Sequence, residues 1–307
     1  MQGRTWRSIS ENKEKEVRSL IIKNGGVTKP VTNTTEKWRL SLVDSTYIFY
    51  HNGTLYATPS NSSHPVVSKC LSEIETLFTV ETSGFYDYLI GFDETGKGEI
   101  FGCIYLVGVA IPYSKASNLY SIVSSIDSKK SQSDDYWLKV FQKIDSFQNE
   151  GLTYKVLQIT PEEIKPKNLN ALLDRKYLTL CKSFLNKYSA YKCRMVIDDY
   201  GVGSNFKEEL SSFNRANLEI VITSQGEDKF LETKVASLIS KKYRSEEIQD
   251  INNNTLYQFG LLKPGTGNLS NKQTREWLEK WYSSGKEWPW FVKKTFKTIK
   301  EIEGKKR

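Results

Sequence analysis

Long apolar runs are missing from this chain. No window approaches the ~18 uninterrupted apolar residues that a membrane-spanning helix requires, so no such span is expected. Histidine is nearly absent: His51 and His64 are the only two, both in the first quarter. The remainder has no imidazole for general-base work, and any chemistry there falls to carboxylates, lysines or metals. The four cysteines, Cys70, Cys103, Cys181 and Cys193, lie far apart with no CxxC pair and no nearby histidine. That pattern excludes a disulfide framework and a zinc site, and buried thiols are expected. The opening MQGRTWRSISENKEKEV lacks the apolar core and small-residue cleavage site of a secretory signal, so a cytoplasmic location is expected.

What is present is globular composition over 307 residues, with 38% hydrophobic, 12% aromatic and 26% charged residues. A chain of this length holds two domains at the usual domain size. The net charge of +8 favours a polyanionic partner such as nucleic acid, and it is unevenly spread. Residues 286–307 carry eight Lys or Arg against three Glu, whereas residues 1–85 carry ten against eight.

Val17, Leu20 and Ile21 have the spacing of an amphipathic helix over residues 11–24, closed by Gly25 and Gly26. Strands are predicted at 38–43, 46–50 and 54–57, with Asp44-Ser45 and Asn52-Gly53 as turns, followed by a helix at 66–78. This small α+β unit ends in the polar stretch 81–88, giving domains at 1–85 and 86–307. In the second, strands are predicted at 89–92, 102–111, 154–159, 193–197 and 218–222. Helices are predicted at 134–147, 168–188, 206–213, 229–243 and 271–282, which makes an α/β domain with helices packed on a mixed sheet.

The densest chemical signal is Ile90-Gly91-Phe92-Asp93-Glu94-Thr95-Gly96-Lys97-Gly98-Glu99. Two acids close an apolar strand, and two glycines around a lysine allow bare amides to face a sugar or phosphate. A second acid pair, Asp198-Asp199, ends another apolar strand, and a third, Glu227-Asp228, opens the helix from Lys229. Each pair taken alone is equally an acidic turn or a favourable charge at a helix start. Brought together by a sheet, they would repel unless divalent cations neutralised them, which is the logic of a two-metal Mg²⁺ site for phosphodiester hydrolysis. Asp127-Ser128-Lys129-Lys130 reads as a helix cap, or, beside such a cluster, as lysines that bind the scissile phosphate.

These motifs, in this order, resemble the type 2 ribonucleases H, the ribonucleases HII and HIII. The resemblance covers roughly 86–307 and continues through Val235-Ala236-Ser237, Gly265-Thr266-Gly267, Ser270-Asn271-Lys272-Gln273-Thr274-Arg275 and Trp290-Phe291-Val292-Lys293-Lys294-Thr295-Phe296-Lys297-Thr298. It implies an RNase H fold and metal-dependent endonucleolytic cleavage of the RNA strand of RNA/DNA hybrids, leaving 3′-hydroxyl and 5′-phosphate ends. Carried over by position, Asp93, Glu94, Asp198 and Glu227 are the metal-binding carboxylates for Mg²⁺ or Mn²⁺, with Asp199 and Asp228 as neighbouring alternatives. Gly96, Lys97 and Gly98 correspond to the loop that reads 2′-hydroxyls, and Lys129 and Lys130 to phosphate contacts.

The sequence departs from the family in places. Lys97 stands where ribonuclease HII usually has Arg and HIII usually has Thr. Asn268 stands where HII places the tyrosine that recognises a lone ribonucleotide, which argues against excision of single embedded ribonucleotides. Thr160-Pro161-Glu162-Glu163 and Asn168-Leu169-Asn170 are similar to HIII, and the segment near Phe291 is similar to archaeal HII. The first domain resembles the TATA-binding-protein-like domain of HIII, on Glu36-Lys37-Trp38-Arg39 and Asn52-Gly53-Thr54-Leu55-Tyr56, and is expected to grip the hybrid. A monomeric enzyme acting on ribonucleotide tracts is expected. The rivals are a nuclease of the same fold for embedded ribonucleotides or DNA junctions, and an inactive hybrid-binding protein.

Overall fold

Apolar side chains at alternate positions between residues 36 and 57 build the first of two sheets. The computed structural model describes residues 4–6, 9, 11–58, 64–79, 86–123, 126, 134–164, 169–213 and 215–304. The chain divides into one unit of residues 1–86 with 114–127 and a second of residues 87–113 with 128–307.

In the first unit β1 (Arg4–Trp6), α1 (Glu11–Lys23), β2 (Val27–Lys29), β3 (Glu36–Leu42), β4 (Ser45–Tyr50), β5 (Leu55–Ala57) and α2 (Pro65–Thr79) follow in order. The strands form an antiparallel sheet ordered β1-β5-β4-β3-β2. The two edge strands β1 and β2 are absent from the sequence reading, because three residues are too few to show a period. Trp38, Leu40, Leu42, Tyr47, Phe49, Leu55 and Ala57 face inward onto Val17 and Ile21 of α1 and Val67, Cys70 and Ile74 of α2. The first hairpin turns at Val43-Asp44 rather than at Asp44-Ser45, and Leu42 pairs with Ser45 across it. Ser45 is buried and donates its hydroxyl to the Thr58 carbonyl at 3.2 Å, which draws it into β4 and leaves Val43 at a φ of 56°. A helix not foreseen from the sequence, α3 (Ala116–Val123), buries Ala116, Leu119 and Val123 and packs on α2.

In the second unit β6 (Tyr88–Thr95), β7 (Ile104–Pro112), β8 (Thr153–Ile159), β9 (Cys193–Asp198) and β10 (Leu218–Thr223) form a mixed sheet ordered β10-β9-β6-β7-β8. The pairs β6–β9 and β9–β10 are parallel, and β6–β7 and β7–β8 antiparallel. The helices are α4 (Asp134–Ser146), α5 (Leu169–Lys187), α6 (Ser204–Ser211), α7 (Gly226–Lys229), α8 (Leu231–Asn253), α9 (Lys272–Ser283) and α10 (Lys297–Gly304). One face of the sheet, including Ile90, Phe92, Ile104 and Leu106, packs on Leu173, Tyr177, Leu180 and Phe184 of α5. On the other face α8 crosses β6 so closely that a Cβ at Gly91 would lie 2.2 Å from the backbone of Glu232, and only glycine fits there.

The helix expected from Lys229 is instead the single turn α7 followed by α8, with Phe230 extended between them. A separate aromatic cluster of Phe101, Trp277, Trp281 and Phe291 joins the 98–103 segment to α8, α9 and α10. All four cysteines are free and buried. Among the described residues no helix is long and apolar enough to cross a membrane.

Candidate active site

The register Phe92 opposite Ile197 makes Asp93 and Asp198 the next residues on two neighbouring parallel strands at the centre of the sheet. Strand alternation then sends Asp93 and Glu94 to opposite faces. Asp93, 7% exposed, lies on the α8 side beside Ser237, and Glu94 lies on the α5 side, where the Tyr177 hydroxyl donates to its Oε2 at 2.6 Å. Asp198 accepts the Gly226 amide at 2.6 Å, which ties β9 to the start of α7. Glu227, in that turn, accepts Ser237 Oγ at 2.6 Å and Lys241 Nζ at 3.0 Å, both from α8.

Four acids from three elements therefore come near enough to feel one another's charge, and their repulsions form a closed ring. Burial, then the charge of Glu94, pushes the Asp93 carboxyl well above its usual range; Glu227 adds to this, and the Ser237 hydrogen bond opposes it. Burial also raises Glu94, against the Tyr177 hydrogen bond and Lys97, with Asp198 adding to the rise. Asp198 is raised by burial, held back by the Gly226 amide, and raised further by Glu227.

The two neighbouring alternatives point elsewhere. Asp199 accepts the amides of Gly201 and Val202 at 3.0 and 3.1 Å, and those bonds lower its carboxyl. Asp228 is exposed, and it is Glu227, not Asp228, that accepts the Ser237 hydroxyl.

Gly96 has a φ of 102°, and a Cβ there would lie 2.5 Å from the Cys103 carbonyl oxygen, so the turn after β6 requires glycine. Around Gly98 the space is open. Lys97 donates its Nζ to the Tyr200 carbonyl and lies 5.6 Å from the centre of the Tyr200 ring, bridging the loops that follow β6 and β9. Lys129 and Lys130 fall outside the described residues. Exposed Asn268 accepts the amide and hydroxyl of Ser270 within its own loop.

The sequence reading missed Tyr177 and Lys241 as members of the site. Tyr177 hides in the apolar stripe of α5, where its only signal is a phenol that needs a partner once buried. Lys241 lies four residues beyond Ser237 and so shares its helix face.

Among the described residues, no three acids, histidines or cysteines are already gathered to the spacing of a formed ion site. Each acid is engaged by a protein donor instead. The donor set nevertheless fits a hard divalent cation, being all-oxygen, mutually repelling and largely buried.

The sequence model of the family described as Ribonuclease HII matches residues 90–299. The chain belongs to the ribonuclease HII family. As a member it is a metal-dependent ribonuclease H, an endonuclease acting on the RNA strand of RNA/DNA hybrids. Ribonuclease HII of Thermococcus onnurineus is 27% identical over 221 residues, covering 71% of this chain and 90% of that protein. Ribonuclease HII of Sulfolobus acidocaldarius is 28% identical over 201 residues, covering 64% and 84%. Among solved structures, the ribonuclease H2 of Pyrococcus horikoshii OT3 superposes with a TM-score of 0.56 at 23% identity, over 71% of this chain and 98% of that one. Bst-RNase HIII in complex with Mn²⁺ gives 0.55 at 13% identity, over 99% and 98%. At these identities both likenesses speak for the fold, and the second extends it beyond the family match to the first sheet.

Proposed function

We propose that Asp93, Glu94, Asp198 and Glu227 hold Mg²⁺ or Mn²⁺ in a two-metal site that cleaves tracts of ribonucleotides, leaving 5′-phosphate and 3′-hydroxyl ends. The observation that carries this reading is the ring of four acids at the ends of β6 and β9 and in α7. When bound, such ions supply Lewis-acid activation and neutralise charge developing on the leaving oxygen. The chain's own residues set the geometry. Tyr177 fixes Glu94, the Gly226 amide fixes Asp198, and Ser237 with Lys241 fixes Glu227, so these three carboxylates enter the site in one orientation. The 96–98 loop contacts the RNA strand, and Lys129 and Lys130 contact its phosphates.

For the first unit the reading is a grip on the hybrid, through the sheet face opposite α1 and α2. One cross-strand row there runs Lys29, Arg39, Ile48, Tyr56 and Thr5. Trp38 lies on the other face: its ring stacks on Phe49 at 5.2 Å and its Nε1 donates to Glu14 at 3.0 Å, so it belongs to the core. Arg39 is bound to Glu36 at 2.5 Å, which offsets much of its charge.

The test is Asp93→Asn on hybrids carrying four ribonucleotides and on duplexes carrying one. Loss of cleavage with hybrid binding in Ca²⁺ kept is expected, and the parent enzyme should cut the tract far faster than the single site. Cleavage retained in Asp93→Asn would refute the assignment of the acids. A preference for the single site would refute the tract specificity.

A further inference from the structure

Lys293 is a charged side chain in an unexpected place. It is fully buried, yet it belongs to the segment after α9, nearly two hundred residues from β6 in sequence. Its ammonium donates to the carbonyl of Gly96 at 2.5 Å and to that of Glu99 at 2.7 Å, and its own amide donates to the Ile100 carbonyl at 2.9 Å. Around it the segment is fastened further. Phe101 bridges to Val292, the Gly102 amide donates to the Phe291 carbonyl at 2.8 Å, and the Ile100 amide to the Gly267 carbonyl at 2.8 Å.

An apolar side chain would fill this space without the desolvation cost of an ammonium, which burial pushes down to about 8. The two captured carbonyls are what the charge obtains. In a trans peptide the C=O and the following N–H point to opposite sides, and the chain has no cis bonds among its described residues. Pulling the Gly96 carbonyl inward therefore turns the Lys97 amide away from Lys293, and at the neighbouring Gly98 the space is open.

We propose that Lys293 is a positioning residue for nucleic-acid binding: by holding the Gly96 and Glu99 carbonyls it orients the peptide joining Gly96 and Lys97 so that its N–H faces the RNA strand. This rests on the reading of the 96–98 loop as the strand contact. The experiment uses the full chain with Lys293→Met, Lys293→Gln and Lys293→Arg. Gly98→Asp, which sets a carboxylate in the open space at the loop, tests the loop reading by itself.

Affinity for an RNA/DNA hybrid and for a DNA duplex of the same sequence is measured in Ca²⁺ by fluorescence anisotropy, beside kcat, KM and melting temperature. Lys293→Met should weaken hybrid binding about tenfold, the scale of one charge-assisted hydrogen bond, with DNA-duplex binding and kcat within about threefold. Lys293→Gln should fall between, and Lys293→Arg should return to within about threefold of the parent. Hybrid affinity unchanged in Lys293→Met while Gly98→Asp loses it would overturn the positioning role and keep the loop reading. Unchanged affinity in both would sink the loop reading and the proposal with it. Loss of cooperative melting in both Lys293→Met and Lys293→Gln would assign Lys293 to core stability and overturn the proposal as well.

Discussion

Glu94 carries its charge into a site where burial and a neighbouring acid both penalise it, and the Tyr177 hydroxyl is the donor that opposes them. Tyr177→Phe removes that donor without changing the packing against Tyr200, whose ring stacks on it at 4.5 Å. A hydrogen bond to a charged group contributes about 1.5–3 kcal/mol, so kcat/KM should fall by about ten- to hundredfold and half-maximal activity should need more Mn²⁺. Steady-state kinetics across a metal titration measures both. An unchanged metal requirement would show that Glu94 does not depend on Tyr177. The placement of these acids was legible in the sequence, because each closes an apolar strand or opens a helix. The difference between Asp198 and Asp199 was not, since only the folded loop shows that the Val202 and Gly201 amides take the Asp199 carboxylate. Glu227 is separated from Asp228 in the same way, by a serine ten residues downstream on another helix.

Among the elements, the β3–β4 hairpin places a β-branched residue in the left-handed region, at Val43. Val43→Gly should stabilise the first unit by about 1 kcal/mol, read from its urea midpoint, because glycine adopts this conformation without strain. No change or a loss would mean that the turn is relaxed as it stands. At the start of β3, Arg39 with the Thr32 amide and hydroxyl holds the Glu36 carboxyl down, from an ordinary 4.5 to about 2. A depressed carboxylate contributes stability that is complete above about pH 4.5 and is lost as pH falls through about 2. Between pH 5 and pH 3 the urea midpoint should therefore drop more in the parent than in Glu36→Gln, and equal slopes would show that this network is not coupled to folding. Strand and helix positions with a clear period were readable from the sequence, including α1 and the inward row of β3. The three-residue edge strands were not, and α3 reads as part of the second unit by position alone, since nothing local reveals which core takes its Leu119.

For the whole molecule, the charge of +8 makes salt the natural probe of how the hybrid is held. Each phosphate that a basic side chain neutralises steepens the fall of log affinity with log salt by about 0.9 on a duplex. Lys29→Ala should make that fall shallower by about the same amount and weaken hybrid binding, while cleavage at saturating hybrid stays within about twofold of the parent. A slope identical to the parent's would remove the Lys29 end of this sheet face from the interface.

The path of the backbone between the two units has a consequence for how such a protein can be rebuilt. The chain leaves the first unit after residue 86, returns at 114 and departs again after 127, so helix α3 is encoded inside the nuclease portion of the gene. A graft of the leading domain onto another nuclease through a single junction would leave that helix behind and bare the surface of α2 that it covers. Chimaeras of this enzyme need two crossover points, and single-junction fusions at residue 86 should yield poorly folded protein.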